Sequence, residues 1–369
     1  MRAKLTKQGC ALAIAAWACA AAGMAAAGEN DPLRLILAET LSYDSNVFRS
    51  SGATAPVSDT STSTAITLTL DKQLSRQRLQ AAVSLSDIRY ARLGALNNRA
   101  SNYRFVWQGT FPGGWASYAS WSRSESLANF ADLQNTSARD IVTQESASFR
   151  LSYLPHPDWP VYVRFAASNT SNSLAALNFN DLRTRGAEAG LQYNSPLGNQ
   201  ATLLFRRTGG RYPFRPAPLG ERFDQDELQA AVQWQPGSKS SLGLQLGWTR
   251  RQQPDRPQRN FDGATGRLNF DWALTSVTSI GATLGRDVTP VTVQDVSLDN
   301  FALVRSYGLT ARWTPTAKFS AAAGFGRQSR VFGGVATDST AASTLDLQYA
   351  PMRALQLSMQ FKHEARKSS

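Results

Sequence analysis

His156 and His363 are the two histidines of a 369-residue chain, and so carry whatever imidazole chemistry it has. General acid–base or nucleophilic catalysis needs such a group beside a serine or carboxylate. His156 lies in the proline-bracketed turn L-P-H-P-D-W-P, and His363 stands in F-K-H-E-A-R near Ser369. Neither has an evident serine or carboxylate partner on a neighbouring segment, so no enzyme is expected. Asp44 and Asn46, in L-S-Y-D-S-N-V-F-R, have the spacing of a calcium-loop fragment. A full loop continues with further oxygen ligands and a late glutamate. Phe48 and Arg49 follow instead, and an arginine repels a cation, so neither metal nor cofactor is expected. The remaining chemistry is that of guanidinium. Arg34, Arg104, Arg150, Arg164, Arg206, Arg267 and Arg312, with Lys362, fall on one face of alternating segments that also carries Asp71, Glu188, Asp271 and Asp346. Arginine forks orient carboxylates and phosphates, whereas arginines paired with acids only satisfy one another.

The segments that must position these side chains alternate with a period of two. Leu242, Leu244, Leu246 and Trp248 alternate with Gly243, Gln245 and Gly247. Leu355, Leu357, Met359 and Phe361 alternate with Gln356, Ser358 and Gln360. This is the period of a strand with one apolar and one polar face. A soluble sandwich also alternates, but it would have to bury the Arg, Gln and Asn of the second face. A wet lumen would not. Aromatic residues recur near one end of the apolar face, at Tyr153, Tyr193, Trp234, Trp272, Trp313 and Tyr349, each just before a short turn. That is where an interfacial girdle belongs.

Connections alternate between short turns such as Pro112–Gly114 and long polar loops such as Arg250–Asn260. The pattern predicts an all-β transmembrane antiparallel up-and-down β-barrel in the bacterial outer membrane, seated in its lipid. About seventeen strands are counted, from near Leu33 to near His363. Single-chain bacterial barrels have an even count, and an unpaired edge in lipid is costly. An eighteenth strand beyond Ser369 is therefore expected.

Arg2, Lys4 and Lys7, the apolar run Cys10–Met24 and Ala25–Ala27 predict a signal peptide over residues 1–27, leaving a single barrel domain over 28–369. Both cysteines, Cys10 and Cys19, lie inside that leader, so disulfide and zinc-thiolate chemistry is excluded from the mature chain. The net charge of +12 falls to about +9 without Arg2, Lys4 and Lys7. An exported chain rarely meets nucleic acid, and no nucleic-acid-binding motif is present, so a partner of that kind is not expected.

The first strand ends in Tyr43-Asp44-Ser45-Asn46-Val47-Phe48-Arg49. With the Arg89-Tyr90 pair and the closing L-Q-L-S-M-Q-F-K-H-E-A-R, this resembles the EpsL-type exosortase-associated polysaccharide transporters. Tyr43, Asp44, Asn46, Phe48 and Arg49 carry the specific part of the likeness; elsewhere it is diffuse. The resemblance implies export of an extracellular polysaccharide, with periplasmic export and chain-length-control proteins as partners. It also implies one more strand ending in an aromatic residue. A basic lumen adds the expectation that the polymer is anionic. The alternative is a general or small-anion porin, which requires a loop folded inward to narrow the bore. The segments after Arg211 and near Arg250 are the candidates for that loop.

Overall fold

The computed structural model describes residues 10–14, 31–50, 55–133, 137–215, 219–293, 301–332 and 336–368. Among them a short strand, β1 (Cys10–Ile14), precedes seventeen strands of 12–17 residues. These are β2 (Leu33–Asp44), β3 (Asp59–Leu74), β4 (Gln77–Tyr90), β5 (Asn98–Phe111), β6 (Trp115–Leu127) and β7 (Ile141–Tyr153). They continue with β8 (Val161–Asn172), β9 (Leu182–Asn194), β10 (Gln200–Arg211), β11 (Arg222–Gly237), β12 (Ser240–Gln252) and β13 (Phe261–Ala273). The last are β14 (Thr278–Pro290), β15 (Phe301–Thr316), β16 (Phe319–Phe332), β17 (Ala336–Met352) and β18 (Leu355–Ser368). Every long strand pairs antiparallel with its neighbour in sequence. The sheet closes into an outer-membrane β-barrel, as the alternation predicts.

Closure takes place at a seam. β1 lies between β18 and β2, antiparallel to both, with Cys10 opposite His363 and Ile14 opposite both Met359 and Leu41. The odd count was expected to be completed by a descending strand beyond Ser369. Cys10–Ile14 pairs there over five residues at the long-loop end, inside the segment that the sequence assigns to the leader, so it does not supply that strand in the mature chain. The leader assignment and its cleavage point after Ala27 rest on the sequence, since residues 1–9 and 15–30 lie outside the described residues.

The register separates the two faces. Leu35, Leu68, Phe105, Phe149, Phe165, Leu203, Leu246, Leu309 and Phe325 all stand on the outer face and are well exposed. In a barrel with a lipid-facing wall, such exposure is the solvated state of that side. The short-turn end carries stacked aromatic pairs, Trp115 with Tyr153 at 4.7 Å and Trp159 with Tyr193 at 4.8 Å. A second aromatic level stands nearer the long loops. There Trp121 donates its indole N–H to Glu145 at 2.9 Å and Trp248 donates to Asp262. Each ring is apolar below and wet above, as interfacial aromatics require.

The short turns depend on left-handed backbone. Gly113 and Gly114 have φ of 78° and 81°, and a Cβ on Gly114 would stand 2.9 Å from the Leu154 carbonyl oxygen. Gly114→Val is therefore expected to lower barrel stability by about 1–3 kcal/mol, from strain in a turn that L side chains rarely adopt. Urea unfolding of the purified protein, followed by tryptophan fluorescence, measures it.

Candidate functional site in the lumen and its mouth

Six of the seven nominated arginines sit on strand positions whose register aligns them along the inner wall. Arg104 faces Ala82 and Ser122, and Arg150 faces Tyr118 and Arg164. Arg164 then faces Glu188, and Glu188 faces Arg206. Arg267 faces Gln245, and Arg312 faces Ala322, itself opposite Asp346. The seventh, Arg34, opposite Thr69, is on the same wall near the short-turn end.

Their surroundings differ. Arg206 is committed to acids: Nε donates to Glu188 at 2.8 Å and Nη1 to Glu227 at 3.0 Å. Glu188 also accepts from the Tyr162 hydroxyl at 2.8 Å, and the Arg150 guanidinium stacks 3.7 Å above the Tyr162 ring. The Tyr162 ring lies over the inner side of Gly190, where a Cβ would stand 2.4 Å from it. Gly190→Ala is expected to displace the ring and cost about 1–3 kcal/mol, as overpacking does; a thermal melt by circular dichroism reads it. Arg267 reaches Asp287 at 3.7 Å. Arg104, Arg164 and Arg312 are exposed to the lumen and make no hydrogen bond or ion pair among the described residues. Arg78 had not been singled out. It holds Asp71 in a two-pronged bond, at 2.8 and 2.6 Å, near the short-turn end.

The mouth at the long-loop end is crossed by polypeptide. Between β6 and β7 the chain makes a 3-10 turn, Phe130–Asp132, started by the Asn129 side chain accepting from Ala131 N–H. Asp132 lies between β6 and β7 in the chain, yet it meets arginines six or more strands away around the ring. Arg330 on β16 contacts it at 2.6 Å and Arg366 on β18 at 3.2 Å. Arg366 also donates to the Ala131 carbonyl. Both arginines share Asp338 of β17, which is 3% exposed. The segment therefore spans the mouth as a chord, its far end held by two cations and two carboxylates. Cationic and anionic partners this close, and this poorly solvated, form strong charge-assisted bonds.

The chord is also held by the Tyr43–Arg49 stretch, which ends β2 and follows it, on the same side of the ring as β18. Asp44 accepts from the Asn46 N–H at 2.9 Å and from the Arg49 guanidinium at 2.7 Å. Asn46 exchanges two bonds with Ser50, and Arg49 takes a left-handed φ of 54°. Burial disfavours the Arg49 charge, but the Asp44 bond and charge outweigh it and raise its pKa. Asp44 and Asn46 are thus turn-formers at the rim, as their short polar side chains suggest. The turn buries Val47 against Leu96 and Phe130 and brings Phe48 edge-on to Phe130 at 5.1 Å. Tyr43 stays on the outer face.

A second chord runs through the loop of Ala175–Asn180. Leu177 packs with Ala128 and Leu133 of the first. The Asn180 side chain donates to the Val293 carbonyl at 2.9 Å and accepts from the Val293 N–H at 3.0 Å, five strands away. Arg215, in the loop after Arg211, donates to the Phe179 carbonyl at 3.1 Å. Burial pushes the Tyr212 phenol up, against the pull of Arg251 and Arg215. Arg251 is 1% exposed and stacks 3.4 Å from Phe223. Of the two segments expected to fold inward, the one after Arg211 reaches Phe179 of the second chord through Arg215, whereas near Arg250 the buried group is Arg251 of β12 itself. The Phe130–Asp132 chord was missed, because a three-residue turn carries no periodicity and its partners lie about 200 residues away.

His156 touches Asp158 at 3.8 Å within its own turn. No group of three or more metal-ligating side chains is gathered among the described residues.

Solved structures share the fold, two of them as follows. Pseudomonas aeruginosa OccK9 (OpdG) has a TM-score of 0.50 at 11% identity, covering 91% of this chain and 97% of its own. The FrpB iron transporter from Neisseria meningitidis has a TM-score of 0.52 at 8% identity, covering 89% of this chain and 67% of its own. No family model and no curated protein matches the sequence. At 11% identity or less, the likeness shows the barrel fold alone. It does not extend to the polysaccharide transporters that the Tyr43–Arg49 stretch resembles.

Proposed function

We propose that the chain is a porin-like channel for small anionic solutes. The observation that carries this reading is the mouth crossed by the Phe130–Asp132 chord, above a wall on which Arg104 and Arg312 make no hydrogen bond or ion pair among the described residues and Arg164 faces Glu188 without a bond to it. A chord across the mouth obstructs a polymer strand more than a small solute, and lumen cations concentrate anions. Arg206 belongs to the wall, since its two acids already neutralise it. Full-length protein in a planar bilayer should pass an ohmic, anion-selective current and admit small carboxylates into liposomes. Exclusion of small carboxylates alongside passage of an anionic polysaccharide would overturn the proposal.

Polysaccharide export is the second reading. It is favoured by the Asp44–Asn46 turn, whose residues carry the resemblance and also brace the chord through Val47 and Phe48. In that reading the chord is a gate that a periplasmic export partner must open. Release of polymer from cells lacking the gene would exclude it.

A further inference from the structure

We propose that three outward-facing arginines, Arg286, Arg305 and Arg327, form a binding site for the phosphate of an outer-leaflet lipid headgroup. Arg286 on β14 stands directly opposite Arg305 on β15. Arg327 on β16 is diagonal to Arg305, opposite Tyr307. Like charges placed directly opposite on a sheet are destabilising, so the arrangement calls for an anion. Among the described residues Arg286 and Arg305 make no hydrogen bond or ion pair, and Arg327 reaches only the Ser339 hydroxyl, at 3.4 Å. All three are exposed. The nearest acid in sequence, Asp287, points into the lumen, where it meets Arg267.

Depth selects a lipid. One pleat toward the short turns, the same face is apolar, with Leu284, Tyr307 and Phe325 about half exposed. Arg305 is eight residues along β15 from the girdle residue Trp313. At about 3.3 Å per residue and a tilt near 40°, it stands ~20 Å above that girdle, near the top of a band about 25 Å tall. Guanidinium groups extending upward from that level reach the headgroup phosphates, which they bind through paired N–H donors. This site is independent of what passes through the lumen.

Native mass spectrometry of the full-length protein, released from detergent with lipid A or with its dephosphorylated form, tests it. Wild-type protein should retain the phosphorylated lipid at least about tenfold better, as charge-assisted phosphate pairing implies. The R286Q/R305Q/R327Q variant should lose that preference while keeping heat-modifiable mobility on gels. Equal retention of the two lipids by wild type overturns the proposal without recourse to any variant. So does an unchanged preference in the triple variant, or displacement of the lipid by inorganic phosphate at equal concentration.

Discussion

Asp132→Ala should widen the channel. Single-channel conductance is expected to rise about twofold or more, because the group removed fastens a chord across a water-filled conduit. The chord's far end rests on Asp132 alone as a charged anchor, with the Ala131 carbonyl as a weaker one. Without it, Arg330 and Arg366 keep Asp338, so both cations retain a carboxylate and the wall stays intact. The cost in stability is thus limited to the hydrogen bonds lost to a charged group, about 1–3 kcal/mol. Asp338→Ala makes the contrast. It would leave two poorly solvated arginines sharing a single partner, costing up to about 3–5 kcal/mol, since breaking a buried pair strands its charges. Asp132→Ala should therefore change current far more than stability, and Asp338→Ala should change stability at least as much. Conductance in planar bilayers and urea unfolding separate the two. Unchanged current in Asp132→Ala would show that the chord does not limit flow.

The wall was legible in the sequence and the mouth only in part. Leu242 to Trp248 reveals its faces because a strand side chain's direction depends only on its parity. The same rule placed Arg104, Arg164 and Arg312 on the inner face before any pairing was known. Parity says nothing about which cation has a partner. Arg206 and Arg164 occupy equivalent positions, and only the register, which sets Glu188 and Glu227 on either side of Arg206, distinguishes them. Loops follow no parity at all. Asp44 and Asn46 could be read as turn-formers because their bonds are local. That the turn exists to press Val47 and Phe48 on Phe130 could not, because Phe130 lies more than eighty residues away. The odd strand count pointed to the seam between Leu33–Asp44 and Leu355–Ser368, and counting alone cannot say which residues lie in it.

Replacing Arg104, Arg164 and Arg312 together by glutamine should cut the anion-over-cation permeability ratio about tenfold or more at 0.1 M salt. The size follows from Coulomb's law. A unit charge about 6 Å from a passing anion, in water, contributes on the order of 0.7 kcal/mol, and more where the wall lowers the local dielectric. Three such charges sum to about 2 kcal/mol, and every 1.4 kcal/mol is a factor of about ten in an equilibrium constant. The effect must also be screened. With a Debye length of about 10 Å at 0.1 M but 3 Å at 1 M, the difference between variant and wild type should collapse in high salt. Reversal potentials across a salt gradient measure both. Two controls bound the interpretation. The R286Q/R305Q/R327Q variant removes the same charge from the outer face and should leave selectivity unchanged. Arg206→Gln removes one lumen cation but also uncovers Glu188 and Glu227, so its shift toward cations should exceed that of any single member of the triple. If the lumen triple leaves selectivity intact, these arginines do not set the field, and the proposal of an anion channel fails with them.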